Sequence, residues 1–179
     1  MLPALLLLSL LPLSAETRDW QVDYAKSSLT FKGTYQNGPF EGTFGKFTAV
    51  IAFDDSDVAR DSFDVKVDVT SVNTQSSERD DTLRTPDFFD TTKFPQAYYV
   101  TQSFGKGADG GLEAKGTLTI RDQLKPVALK VKFSGSGDSA TLDVDTVLNR
   151  QDFGLGKGSD WVDIANDVAV HGHLVLTGK

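Results

Sequence analysis

The sequence predicts an all-β domain: eight antiparallel strands in a single sheet that closes into a barrel, with a short helix closing one end. Three observations carry that expectation. Apolar and polar residues alternate with period two through most of the 179-residue chain. The links between the alternating runs are short and rich in glycine, as hairpins require. One stretch, Ser76 to Pro95 (SSERDDTLRTPDFFDTTKFP), breaks the alternation with helix-start and helix-stop signals. Closure removes both sheet edges and so favours a tube; a two-sheet sandwich is the structural alternative.

Residues 1–15 carry no charged side chain, and their apolar run from Ala4 to Leu13 ends at the small pair Ser14-Ala15. They read as a signal peptide, leaving 16–179 as one domain with a periplasmic or secreted location. No Lys or Arg precedes the run, so the terminal amine alone supplies its positive end. It is too short to span a bilayer securely.

Trp20, Val22 and Tyr24 then alternate with polar residues, and a kink at Ala25-Lys26-Ser27 leads into Leu29, Phe31 and Gly33. Asn37-Gly38-Pro39 signals a turn. The next strand runs from about Phe44 to Phe53, with Phe47, Ala49, Ile51 and Phe53 on one face. Val50 and Ala52 opposite suggest partial cover on both sides. Asp54-Asp55-Ser56-Asp57 starts like a calcium loop but lacks its Gly and closing Glu, and reads as an acidic surface turn. From Phe63 to Ser71 the faces separate cleanly: Phe63, Val65, Val67 and Val69 are dry, while Asp64, Lys66, Asp68 and Thr70 are wet.

In the break, Ser76 or Ser77 is the expected N-cap, and Glu78, Asp80 and Asp81 suit a helix N-terminus. Pro86 limits the helix. Phe88 and Phe89 have no local core and are expected to reach into the sheet as an aromatic foot. Strands resume at Ala97–Phe104, Leu112–Ile120, Val127–Phe133, Ala140–Asn149 and Val168–Thr177. Their inward sets are Leu118 with Ile120; Leu129, Val131 and Phe133; Leu142, Val144 and Leu148; and Val168, Val170, Leu174 and Leu176. Gly172 interrupts the last set at a bend or close approach. Arg150 to Asp167 is the one irregular region of the C-terminal half.

The net charge of −7 and the absence of any Lys/Arg cluster exclude nucleic acid as an expected partner. Without cysteine the fold has no disulfides and no thiolate metal site. Twelve Phe are the informative excess, enough to fill a core or to line a cavity.

Several constellations resemble chemistry and fail on context. Gly154-Leu155-Gly156-Lys157-Gly158-Ser159 looks like a phosphate loop, but no helix follows it, and a mobile loop is the expected reading. His171 and His173 share a strand face turned to solvent and lack the third ligand a zinc site needs, so no metal is expected. Asp80, Asp81, Asp87 and Asp90 crowd one short element, whereas acid/base pairs need opposed geometry. Arg150 has inward parity, and Asp80 is its expected partner, pinning the helix to the rim. With both histidines outward, no base serves a serine, and no catalytic residue or enzyme activity is predicted.

The residues also resemble a known family. Trp20-Gln21-Val22-Asp23 with Ser28-Leu29-Thr30-Phe31, then Gly42-Thr43-Phe44 with Ile51-Ala52-Phe53-Asp54, look like its opening strands. Ser71-Val72-Asn73-Thr74, Arg79-Asp80, Leu83, Asp87-Phe88-Phe89-Asp90 and Phe94-Pro95 carry its most specific signature. Gly116-Thr117-Leu118-Thr119-Ile120, Lys125-Pro126-Val127, Asn149-Arg150, Asp152-Phe153-Gly154 and Asp167-Val168 follow in order. The chain is similar in this way to the YceI-like family of bacterial, mostly periplasmic, lipocalin-like proteins. Thr82 and Asp122-Gln123-Leu124 depart from the family pattern, at positions not expected to touch a cavity.

The resemblance implies an extended eight-stranded lipocalin-like barrel with an elongated cavity holding an isoprenoid or quinone-like lipid, or a related amphiphile such as a fatty acid or amide. The expected ligand-contacting set is Phe31, Phe47, Phe53, Val67, Phe88, Phe89, Leu118, Leu129, Val131, Leu142, Leu148, Phe153, Trp161 and Val170. Arg79, Asp80 and Arg150 are expected to be structural. The lipid is a ligand, and no cofactor is expected. Membrane contact would be transient, for lipid exchange, and association of two copies is left open. Two rival readings stand beside the carrier: a lipid- or glycan-modifying hydrolase using the acidic stretch 78–90, and a stress-response protein with a packed core.

Overall fold

A computed structural model describes residues 18–54 and 58–179. The signal-peptide expectation for 1–15, and the 55–57 part of the acidic turn, lie outside the described residues. The alternating runs become β1 (Asp19–Val22), β2 (Ser28–Tyr35), β3 (Gly38–Phe44), β4 (Phe47–Ala52), β5 (Ser62–Asp68) and β6 (Val72–Asn73). After helix α1 (Ser77–Arg84) come β7 (Gln96–Lys106), β8 (Leu112–Ile120), β9 (Gln123–Ser136), β10 (Ser139–Asn149) and β11 (Asp167–Gly178).

Every pairing is antiparallel, and β1 closes the ring: Trp20 pairs with Gly178 of β11 on one side and with Ile51 of β4 on the other. The closed circuit of eight strands is β1-β4-β5-β7-β8-β9-β10-β11, which rules out the sandwich. The remaining segments lengthen the wall toward α1. β2 continues β1 along β11, from Ser28 opposite His173 to Lys32 opposite Ala169, and β3 and β6 follow in turn. Segments β1 and β2, β3 and β4, and β5 and β6 are thus three bent strands, each broken once. The eight expected strands appear as eleven segments for that reason.

Segment β3 starts earlier than expected: Gly38-Pro39 reads as a turn, and only Gly42-Thr43-Phe44 is placed in a strand, by the family resemblance. The glycines serve close approach instead. Phe31 lies opposite Gly42 and Phe40 opposite Gly33. A Cβ on Gly42 would sit 2.3 Å from the Phe31 ring, and one on Gly33 would sit 2.6 Å from that of Phe40. Each ring covers the bare backbone of the facing strand, an aromatic–glycine exchange that holds a weak strand in register. Val50 corrects another expectation: it is 69% exposed, and of the two outward residues only Ala52 is half-buried.

At the β1 end the interior is solid. Trp20, Phe53, Phe104, Val131, Leu142 and Leu176 are all buried there in one cluster. Phe133 stacks on Phe53 at 4.1 Å between centroids and meets Trp20 edge-on at 5.4 Å. Segment α1 packs at the other end. Ser76 is the N-cap, its hydroxyl accepting from the Arg79 N–H at 3.4 Å, and Thr85 ends the helix just before Pro86. Arg84 straps the helix to the sheet, donating to the carbonyls of Val72 (3.0 Å) and Thr70 (3.3 Å).

Candidate functional site

Between the solid floor and α1 lies a cavity of about 450 Å³. The strand alternation that made the dry faces also makes its wall. Phe47 and Ala49 come from β4; Phe63, Val65 and Val67 from β5; Leu118 and Ile120 from β8; Leu129 from β9; Val144 and Leu148 from β10; Val170 and Leu174 from β11. Phe63, Leu129, Val144 and Leu174 belong to both the wall and the packed cluster, so they form the floor. Gly172 lines the cavity where an added Cβ would meet Val144 at 2.8 Å, the close approach its position suggested. A polar rim at the α1 end is made by Tyr35, Ser76, Glu78, Arg79 and Thr82.

Two buried polar groups of the wall have their partners within the protein. The Tyr99 hydroxyl is shared between the carbonyls of Ala114 (3.1 Å) and Val127 (3.3 Å). Burial, with the negative charges of Asp64 and Glu113, pushes its pKa well up, so it stays a neutral donor. Arg150 is 5% exposed and, among the described residues, has no carboxylate partner. Its guanidinium donates to the carbonyls of Ala165 (3.1 Å), Leu155 (2.8 Å), Gly156, Trp161 (3.0 Å) and Ile164 (2.9 Å). Burial lowers its pKa from the ordinary guanidinium value.

The expected Arg150–Asp80 pair does not form. Asp80 instead accepts from the backbone N–H (2.8 Å) and hydroxyl (2.7 Å) of Thr74. The fork of Arg150 matches a ring of loop carbonyls better than it matches one carboxylate. The segment read as a mobile loop is consequently tied down. Gly156 has φ +60°, and a Cβ there would fall 2.8 Å from Arg150 and 2.9 Å from the Phe88 ring, so its glycine serves packing, with no phosphate implied. Its N–H donates to the Asp87 carbonyl at 2.6 Å, joining the loop to the aromatic foot.

The foot divides. Phe88 turns to Trp161, edge-on at 4.9 Å, and Phe89 turns to Phe44 at 5.9 Å. Both rings line the cavity, as do Phe31, Phe47, Val67, Leu118, Leu129, Leu148, Phe153, Trp161 and Val170 of the expected set. Phe53, Val131 and Leu142 do not: same-face parity is right for them, but they sit below the floor in the packed cluster. Leu29, Phe40, Phe44, Val65 and Tyr99 line the cavity and were not named. Val65 shares the parity of Val67 and was legible; Phe40 follows the turn signal outside any expected strand, and Phe44 has the opposite parity to Phe47 in the expected one. Thr82 also lines the rim, against expectation. Arg79 stacks its guanidinium over the Phe40 ring at 4.7 Å, a contact that braces α1 on the rim.

The other constellations resolve as follows. His171 and His173 face outward and meet Asp145 (2.8 Å) and Asp143 (2.6 Å) across the β10–β11 ladder. Among the described residues no group of three or more metal-ligating side chains converges. Asp81 meets Arg84 at 3.2 Å, Asp87 accepts from the Trp161 indole at 3.2 Å, and Asp90 lies 3.7 Å from Lys93. None of Asp80, Asp81, Asp87 and Asp90 lines the cavity.

Comparison with known proteins agrees with this architecture. The YceI-like domain family matches residues 20–176. Protein YceI of Shigella flexneri is 37% identical over 133 residues, 69% of each chain. A UPF0312 protein of Vibrio cholerae is 30% identical over 165 residues, 86% of this chain and 87% of its own. Among solved structures, BcnA of Burkholderia cenocepacia superposes with a TM-score of 0.81 at 31% identity, covering 87% of this chain and 99% of that one. A polyisoprenoid binding domain from Saccharophagus degradans, implicated in plant cell wall breakdown, shares the fold, with a TM-score of 0.68 at 16% identity over 89% of this chain and 98% of its own. The chain belongs to the YceI-like family.

Proposed function

We propose that this YceI-like barrel takes up the hydrocarbon tail of an isoprenoid- or quinone-type lipid, and that it serves as an exported carrier or reservoir without chemistry of its own. The observation that carries the reading is the cavity: about 450 Å³ of interior, walled almost wholly by apolar side chains. That size falls within the range of about 300–1,000 Å³ usual for small-molecule sites. The polyisoprenoid-binding relative from Saccharophagus degradans supports the same ligand class.

Magnitudes permit it. At about 30 Å³ per water-sized group, the cavity takes about fifteen methylene equivalents, or about three isoprene units. Burying them gains about 12 kcal/mol gross at about 0.8 kcal/mol each. Lost translation and tail ordering subtract about 4 kcal/mol or more. Micromolar binding needs about 8 kcal/mol, which is within reach without a charged anchor.

Native mass spectrometry of protein purified from its own cell tests the reading. The expected spectrum shows a species heavier by one lipid mass, lost on collisional activation. A spectrum with no adduct, together with no uptake of added isoprenoid quinone, overturns it. The hydrolase reading requires turnover by a normally folded protein, which the dispersed carboxylates of the acidic stretch do not favour.

A further inference from the structure

Between the β2–β3 and β1–β4 ladders the barrel wall is interrupted. Thr30 pairs with Thr43 in the β2–β3 ladder, and Trp20 pairs with Ile51 in the β1–β4 ladder. Residues 21–29 and 44–50, which lie between, form no ladder with each other. The break is built into the fold, because side chains replace the lost backbone partners. The Tyr24 hydroxyl accepts the Ala49 N–H at 3.1 Å, and the Ser71 hydroxyl accepts that of Lys46 at 3.0 Å. Ser27 accepts the Val175 N–H at 2.9 Å at the bend itself.

A second opening of about 450 Å³ lies at this break. Ser28, Leu29, Phe44 and Phe47 line both it and the main cavity, so the break leads through the wall. Its outer side is polar. Thr48 lies opposite Lys66, and the Asp68 N–H donates to the Lys46 carbonyl at 2.9 Å. That register puts both lysines on the outward face as diagonal neighbours, about 7–8 Å apart at the backbone. Neither ammonium forms an ion pair among the described residues. The nearby Asp68 carboxylate is turned onto the N–H (3.0 Å) and hydroxyl of Thr70, and the Gln96 side chain accepts from Tyr98. The cationic groups lining the opening are these two ammoniums.

We propose that this break is a side portal for a single-tailed amphiphile with an anionic oxygen head, a carboxylate or a phosphate. The head rests against Lys46 and Lys66, and the tail passes between Phe44 and Phe47 into the cavity. The proposal rests on the tail-binding reading above and adds where the head sits and which charge it carries.

The test compares oleate, oleyl phosphate and oleyl alcohol, which share one tail. In the double variant Lys46→Gln/Lys66→Gln, dissociation constants for the two anions are expected to rise about five- to tenfold, the sum of two exposed ion pairs. Alcohol binding stays unchanged, and high salt narrows the difference. A phosphate response without a carboxylate response identifies the head as phosphate, and the reverse identifies it as carboxylate. A second variant, Gly45→Trp, blocks the opening. A Cβ there has only the Ser71 carbonyl at 3.8 Å within reach, so a side chain can leave the backbone at this position without a clash. It is expected to slow oleate association while leaving the unfolding midpoint in place. Equal affinity for all three probes in the double variant and its parent overturns the portal, as does unchanged association with Gly45→Trp. If the parent takes up none of the probes, tail binding itself falls, and the portal with it.

Discussion

Replacing Val67 by Phe separates an open interior from a filled one by the sign of its effect. Val67 lines the cavity on β5, opposite Phe47 of β4 and Ala97 of β7. The substitution adds four carbons to the wall. In an open cavity these displace about four methylenes of a bound tail, worth about 3 kcal/mol at about 0.8 each. Tail affinity is then expected to fall about a hundredfold or more. The empty protein, which gains buried carbon without losing contacts, is expected to be unchanged or more stable. In a packed interior the same ring would overfill the site and cost about 1–3 kcal/mol. Urea unfolding measures the stability change through the midpoint at constant m-value, and fluorescence displacement of an isoprenoid quinone analogue measures the affinity. A destabilised variant with undiminished affinity refutes the cavity argument.

Three further predictions follow from particular contacts. Arg150→Met leaves five loop carbonyls without their donor and is expected to cost about 3–5 kcal/mol in urea unfolding; a cost below about 1 kcal/mol would show that the loop does not depend on it. Gly42→Val drives a Cβ into the Phe31 ring and is expected to cost about 1–3 kcal/mol, and adding Phe31→Ala should recover part of that loss; a strictly additive double mutant counts against the ring–glycine contact. The Gly111 N–H and Lys130 hold the Asp109 carboxyl below its ordinary value of 3.8, and hydrogen bonds from Lys26 and Gln123 do the same for Asp23 and Asp122. Their stabilising effect is therefore full above pH 3.8 and is lost as pH falls through the lowered values; Asp109→Asn should flatten the acid limb of the stability profile, and an unaltered limb refutes the assignment.

Much of the tube was legible because strand parity is a local property. Phe63, Val65 and Val67 alternate with charged residues, and a strand with one dry and one wet face satisfies both sets. Depth along the barrel axis is not local. Phe53, Val131 and Leu142 have the parity of Val67 and Leu129, yet they lie in the solid floor, since height depends on strand tilt and stagger that alternation does not encode. Arg150 shows a second limit. Its inward direction could be read, but its partners are backbone carbonyls, which every residue carries and no sequence distinguishes. The β2–β3 register was concealed because the glycines in it are explained only by rings on the facing strand.

The stacked rings of Phe53 and Phe133, with Trp20 against them, make the barrel a blind vessel. A guest chain has nowhere to go once its tip touches bottom, and any surplus length must trail outside. Binding strength should therefore climb with each added carbon until the well is full and then level off. Such a protein sets a minimum length for its guests and no maximum.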